Sequence, residues 1–201
     1  MGTRYDKWME KGESTLEDEL SLVISTFPEP CKLLDVGCGT GRVSLLLQEK
    51  GYDIVGVDIS KGMLEQAIRK GLNRTYNMDF LDFVYPASSF DGIISLHAGF
   101  SYTQDKNKIR SIMKKCWNLL RSKGKLLWDT PNEDFYGKQR ILEWPAGKTT
   151  VETICYGHNV NFLKILFEQN DFEVKNIWGS YTPLQKYTKG LPRIIVEAER
   201  K

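Results

Sequence analysis

The segment LLDVGCGTGR (residues 33–42) constrains this chain more than any other. A short apolar run enters Asp35, and Gly37, Gly39 and Gly41 then follow at alternate positions. Glycines so placed let the main chain turn sharply and approach a ligand with no side chain between them. A helix starting next to them presents free N–H groups at its first turn. The spacing is not the dinucleotide fingerprint G-x-G-x-x-G: the third glycine comes one position early, and Arg42 stands where that fingerprint has glycine. The G-K-[ST] of a phosphate-cradling loop is also missing.

Around this loop the apolar pattern alternates between strand-like runs and helical stretches. Residues 14–27 carry Leu16, Leu20, Val23, Ile24 and Phe27 at helical spacing, with Ser14 and Glu17 placed as a capping box and Pro28 and Pro30 ending the helix. Strands are expected at 32–36, 53–58, 73–78, 90–96 and KLLWDT (125–130), with helices between them. The helix at 105–121 is expected to stop at Gly124. A helix over 159–170 and two final strands, FEVKNIWGS and PRIIVEAER, complete the chain. Strand–helix alternation implies an α/β fold with a doubly wound, mostly parallel sheet and helices on both faces. Such a sheet binds its ligand at the carboxyl ends of its strands. That rule selects residues 35–41, 58–60, 79–81 and 95–102. The second strand ends at Asp58, 21 residues after Gly37, where a carboxylate accepts both hydroxyls of a ribose and leaves little room for a 2′-phosphate.

The bulk numbers fit one soluble domain. The chain has 201 residues, 41% hydrophobic and 27% charged, with a formal net charge of +2. No global basic field asks for a nucleic-acid partner. The apolar runs fall short of the about 20 residues that span a bilayer, and the polar N-terminus lacks the apolar core of a secretion signal. Cys31, Cys38, Cys116 and Cys155 are dispersed and form no C-x-x-C pair, so no metal is expected and the thiols read as reduced, in a cytoplasmic protein.

LLDVGCGTGRVSLLLQEKGYDIVGVDIS resembles the first two motifs of the class I S-adenosylmethionine-dependent methyltransferases, which are Rossmann-like. The likeness continues through GMLEQAI, NMDFLDF, FDGIISLHA and LLRSKGKLL, covering residues 30–130 well and the remainder loosely. It implies a seven-stranded sheet with the last strand antiparallel, and S-adenosylmethionine as cofactor with S-adenosylhomocysteine as product. It further implies that Gly37, Cys38, Gly39 and Gly41 lie against the methionine part, with Asp35 holding the ammonium through water. Asp58 would take the ribose hydroxyls, Ile59 would pack on the adenine, and Asp79 and Phe80 would meet the ring edge. Met63 at the head of the following helix, Leu96 through its carbonyl and an aromatic lid at Tyr5 complete the implied set. Asp79 also suits a cap before Phe80–Leu81, Ile59 also suits plain core, and the small size of Cys38 suffices to explain it.

The implied domain plan is a single methyltransferase domain over 1–201. It comprises an N-terminal helical lid (1–30), a cofactor-binding core (31–130), an acceptor-side insertion (131–157) and a C-terminal helix with a strand pair (158–201). The segment Ser95-Leu96-His97-Ala98-Gly99-Phe100-Ser101-Tyr102 faces the acceptor, with His97 as a candidate base and His97, Phe100 and Tyr102 as candidate substrate contacts. It carries no Asn/Asp-Pro-Pro-aromatic run of the enzymes that methylate base amino groups. A small-molecule acceptor is expected, with no nucleic acid and no membrane. A protein or RNA methyltransferase and a non-catalytic cofactor-binding protein stay open. Trp128, Trp144, Phe135 and Tyr136 suit either an acceptor pocket or core packing, and no heptad pattern marks an oligomer.

Overall fold

The structure is a computed structural model that describes residues 4–9, 14–97, 99–146, 149–182 and 184–201. Its strands are β1 (Lys32–Val36), β2 (Asp53–Asp58), β3 (Thr75–Asn77), β4 (Phe90–Ser95), β5 (Leu120–Pro131), β6 (Gln139–Ala146), β7 (Thr149–Tyr156), β8 (Phe172–Ser180), β9 (Gln185–Lys186) and β10 (Arg193–Arg200). The helices are α1 (Arg4–Met9), α2 (Leu16–Thr26), α3 (Arg42–Glu49), α4 (Lys61–Lys70), α5 (Lys106–Leu119), α6 (Glu133–Tyr136) and α7 (Val160–Glu168).

The main sheet runs β3-β2-β1-β4-β5-β10-β8-β9. From β3 to β5 all pairings are parallel, and β10 lies antiparallel to both β5 and β8. The order turns back between β1 and β4, so a crevice opens beyond their carboxyl ends. The sheet has eight strands where seven were expected. The addition is β9, a two-residue strand on the outer edge of β8, and Lys186 within it caps the Trp178 ring with its ammonium 3.9 Å from the centroid. A second departure is the antiparallel hairpin β6–β7, which stands outside the main sheet and fills most of segment 131–157.

Side-chain alternation along the strands builds two cores, one on each face. Leu34, Val36, Val55, Val57, Ile93, Leu126, Trp128, Ile194 and Val196 face α5 and α7. Leu33, Ile54, Ile94, Leu127 and Ile195 face α2, α3 and α4. Each such buried aliphatic side chain contributes about 1.5–3 kcal/mol.

Local chemistry moved two boundaries. Helix α2 is capped by Thr15 with Asp18, not by Ser14 with Glu17. The Ser14 hydroxyl is instead donated to Glu19 Oε1 at 2.7 Å. Helix α5 ends at Leu119 because Leu120 already pairs with Phe90, and Gly124 lies inside β5 within a register shift. A Cβ at Gly124 would sit 2.9 Å from the Arg121 carbonyl oxygen, so the irregularity needs glycine there.

Candidate active site

Strand β1 delivers Asp35 and Val36 to the crevice, and the loop then turns through Gly37, Gly39 and Gly41 at φ of +80°, +54° and +74°. Side chains are disfavoured at all three by that left-handed backbone. Space adds different reasons. A Cβ at Gly37 would lie 3.2 Å from the Gly99 Cα, and one at Gly41 would lie 3.2 Å from the Ala67 Cβ. Above Gly39 nothing lies within 4 Å, so that face is open to a ligand.

Asp58, at the end of β2, locks this loop. Its Oδ2 accepts the Gly39 N–H at 2.8 Å and its Oδ1 accepts the Ser60 N–H at 2.7 Å. Asn77 steadies the same corner by donating to the carbonyls of Asp58 and Ile59, both at 3.0 Å. Burial raises the Asp58 carboxyl above the usual carboxylate range, against the lowering effect of the two N–H donors. Each oxygen keeps further lone-pair capacity for a hydroxyl donor.

A cavity of about 250 Å³ lies on this side, lined in part by Gly37, Asp58, Ile59, Asp79, Phe80 and Phe100. Ile59 is 72% exposed, an open apolar surface at the rim. Asp79 caps a short 3-10 turn by accepting the Leu81 N–H at 2.9 Å, and its other oxygen meets Lys108 Nζ at 3.3 Å. The Leu81 N–H, with Lys108 assisting, holds its carboxyl below the usual range despite partial burial. Turn capping and facing the cavity are therefore one geometry for Asp79. Phe80 and Phe100 pack with ring centroids 5.4 Å apart, and Tyr102 and Thr103 close the outer wall.

A second cavity of about 50 Å³ lies on the other side of Gly37, lined by Met9, Glu19, Asp35, Gly37–Thr40, Arg42, Val43, Leu96 and His97. Asp35 is buried and accepts the Ser44 hydroxyl at 2.6 Å. Burial pushes its carboxyl up to about 7, with Ser44 pulling it down and the Asp58 charge adding to the rise. Cys38 is buried against β2, where a Cβ at Gly56 would sit 2.8 Å from its Sγ, and burial pushes its thiol far up. A thiol held neutral in this way serves packing.

His97, Phe100 and Tyr102 are not brought together. His97 lines the small cavity, while Phe100 and Tyr102 line the large one. Met63 is half-buried in the first turn of α4 and lines neither. The side chains of Tyr5, Trp8 and Trp144 lie outside the described residues, as does Ala98. Trp128 is fully buried core, packed against Phe100, His158 and Phe167. Phe135 is half exposed on α6. Among the described residues no cluster of three or more His, Cys, Asp and Glu side chains is arranged for a metal ion. Among them, too, no helix is long and apolar enough to cross a membrane.

Sequence reasoning missed the ionic frame of the small cavity. Glu19 of α2 is 0% exposed. It accepts Arg42 Nη2 at 2.6 and 2.7 Å, and lies 2.8 Å from His97 Nε2. The His97 N–H is donated to Asp129 Oδ2 at 2.7 Å, and Asp129 Oδ1 accepts Arg193 Nε at 2.8 Å. Asp129 was findable, since it too stands near the carboxyl end of a parallel strand. Glu19 was not, because an acidic residue among helical polar positions gives no sign of burial. From α1, Asp6 accepts the Thr40 hydroxyl at 2.5 Å and Lys70 Nζ at 3.1 Å.

Asp79 and Glu19 are already paired with Lys108 and Arg42, which leaves Asp58, with its spare acceptor capacity, and the open face of Gly39 to suit a ligand that donates hydroxyls and needs close main-chain approach. Comparison with known proteins agrees. The family described as "Methyltransferase domain" matches residues 33–124. An uncharacterised methyltransferase of Geobacillus sp. is 30% identical over 179 residues, covering 85% of this chain and 82% of its own length. YqeM of Bacillus subtilis, also named a methyltransferase, is 29% identical over 62% of this chain and 48% of its own length. The chain thus spans about half the length of curated relatives such as this one, the share being 53% for another Geobacillus methyltransferase. The 1,6-didemethyltoxoflavin-N1-methyltransferase of Burkholderia thailandensis shares the fold, with a TM-score of 0.71 and 18% identity over 98% of this chain and 81% of that one. The glycine loop, the placement of Asp58 and the Geobacillus relative together make this chain a member of the class I S-adenosylmethionine-dependent methyltransferases.

Proposed function

We propose that this protein transfers a methyl group from S-adenosylmethionine to a small-molecule acceptor. The observation that carries the reading is the pair of cavities meeting at Gly37, one bounded by Asp58, Asp79 and Phe80 and the other by Asp35, Leu96 and His97. In this reading Asp58 accepts the ribose hydroxyls, Ile59 packs on the adenine, and Asp79 and Phe80 meet its edge. Asp35 and the Leu96 carbonyl hold the ammonium beside Gly37–Gly41. His97 stands at the acceptor edge, with Phe100 and Tyr102 shaping the neighbouring wall. Bound S-adenosylmethionine supplies an already activated methyl group on a sulfonium. The chain's own task is therefore mainly positioning, worth roughly 7–11 kcal/mol in favourable cases.

A small acceptor is favoured by the small size of the second cavity, about 50 Å³, with Met9 of α1 and Glu19 of α2 in its wall. A macromolecular substrate calls for an open groove there. The near-neutral charge and the S-L-H-A sequence after β4 support the same choice.

Calorimetry with S-adenosylmethionine and S-adenosylhomocysteine tests the cofactor part. Both should bind, and Asp58→Ala should weaken them about 10- to 150-fold through loss of charge-assisted hydrogen bonds. Absence of binding by either ligand overturns the reading. The acceptor is then sought with a labelled methyl donor and a metabolite pool, identifying the product by mass.

A further inference from the structure

His97 is fixed from three directions. Its main chain, at φ +51°, is held by the N–H donated to Asp129, which Arg193 grips in turn. Its ring lies parallel to Tyr181, with centroids 5.7 Å apart and planes 17° apart. Its Nε2 lies 2.8 Å from Glu19 Oε1. A loop residue in the left-handed region costs free energy unless its surroundings enforce it. Here a strand-end carboxylate, a buried tyrosine and a helix carboxylate enforce it together.

Glu19 decides which nitrogen of the ring is used. Arg42 Nη2 and the Ser14 hydroxyl already donate to this carboxylate, and against the upward push of burial the neighbouring His97 and Arg42 hold it below the usual range, as an anion. An ionised carboxylate only accepts hydrogen bonds. Nε2 lies 2.8 Å from Glu19 Oε1 against 3.5 Å from the Arg42 Nη2 donor, so its hydrogen points to Glu19, and in the neutral ring Nδ1 is then bare. We propose that Glu19 is a positioning residue that holds His97 as the Nε2–H tautomer and so makes Nδ1 the proton acceptor of the site. The substrate class that follows is a nucleophile that sheds a proton, an amine or a hydroxyl. A bond forms between its nitrogen or oxygen and the methyl carbon while the carbon–sulfur bond breaks with its electrons going to sulfur. The proton passes from the nucleophile to His97 Nδ1, and Glu19 stabilises the resulting imidazolium. The charged groups around the ring are Glu19 on α2, Arg42 on α3, Asp35 on β1, Asp129 on β5 and Arg193 on β10, with Tyr181 on its face.

This assignment rests on the methyltransferase reading for its chemistry, but its test does not need a known acceptor. The chain has only two histidines, so long-range ¹H–¹⁵N spectra of imidazole-labelled protein resolve both. The wild-type protein should show His97 as a single Nε2–H form. Glu19→Ala should give a mixture of the two tautomers, and Glu19→Gln, whose side-chain oxygen still accepts, should restore the single form. His158, whose Nδ1 lies 2.8 Å from Thr130 Oγ1, is the internal control, and unchanged His158 signals report an intact fold. An Nδ1–H form of His97 in the wild type overturns the proposal whatever the variants do, and so does an unchanged tautomer in a folded Glu19→Ala. S-adenosylmethionine binding with the wrong tautomer refutes the positioning role alone. The right tautomer without any binding refutes the methyltransferase reading alone.

Discussion

The Thr40 hydroxyl donates to Asp6 across 2.5 Å, tying the glycine loop to helix α1. Asp6 also meets Lys70 of α4, so one carboxylate joins three elements around the small cavity. Asp6→Ala should free α1 while leaving the sheet folded. The expected loss is about 1–2 kcal/mol of S-adenosylmethionine affinity, roughly 5- to 30-fold. Calorimetry measures it, and faster proteolysis within α1 should accompany it.

Asp35 sets a pH dependence of two opposite signs. Burial raises its carboxyl to about 7 in the folded protein, above the unfolded value of about 3.9. The native state therefore binds the proton more tightly. The stability this supplies is complete below the unfolded value and is lost as pH rises through about 7. Asp35→Asn should raise the apo melting temperature at pH 8, by about 2–4 °C for each kcal/mol recovered. In the proposed reading Asp35 faces the ammonium of the cofactor and acts in its ionised form, so wild-type affinity should climb between pH 6 and 8, and the Asn variant should flatten that climb. Parallel melting and calorimetric series check both signs.

Gly92 of β4 is crowded. A Cβ there would lie 2.3 Å from Phe27 Cε1 and 2.6 Å from Leu33 Cδ2. Gly92→Ala should overpack the helix α2 side of the sheet at a cost of about 1–3 kcal/mol, visible as a lower melting temperature. S-adenosylmethionine affinity should change little at a temperature where the variant is folded.

His97→Ala should lower methyl turnover by about 10²-fold or more while cofactor affinity is kept, as expected when a proton acceptor is removed. Product counting with labelled methyl donor and parallel calorimetry separate the two effects. Unchanged turnover removes His97 from the chemistry.

What the sequence made legible was local and periodic. Leu33, Leu34, Ile93 and Ile94 announced strands buried on both faces, and the left-handed glycines with Asp58 announced a ligand edge. Pairings between distant segments were illegible. Nothing in LEDELSL marks Glu19 as the buried partner of Arg42 and His97, because burial of a carboxylate is decided by tertiary packing. Arg42 was visible only as the residue displacing a glycine. The hairpin β6–β7 escaped because it stands outside the main sheet, with Ile141 and Ile154 paired across it and both exposed.

Gly37 belongs to the walls of both cavities and nearly touches Gly99. It acts as a saddle: a ligand filling both hollows must drape over one bare stretch of main chain. A free nucleoside or a free amino acid reaches only one slope. A molecule that joins the two gains the benefit of tethering, its second half docking at the high effective concentration set by the first. In the proposed reading, selectivity for a linked ligand over its fragments resides in a residue that contributes no side chain at all.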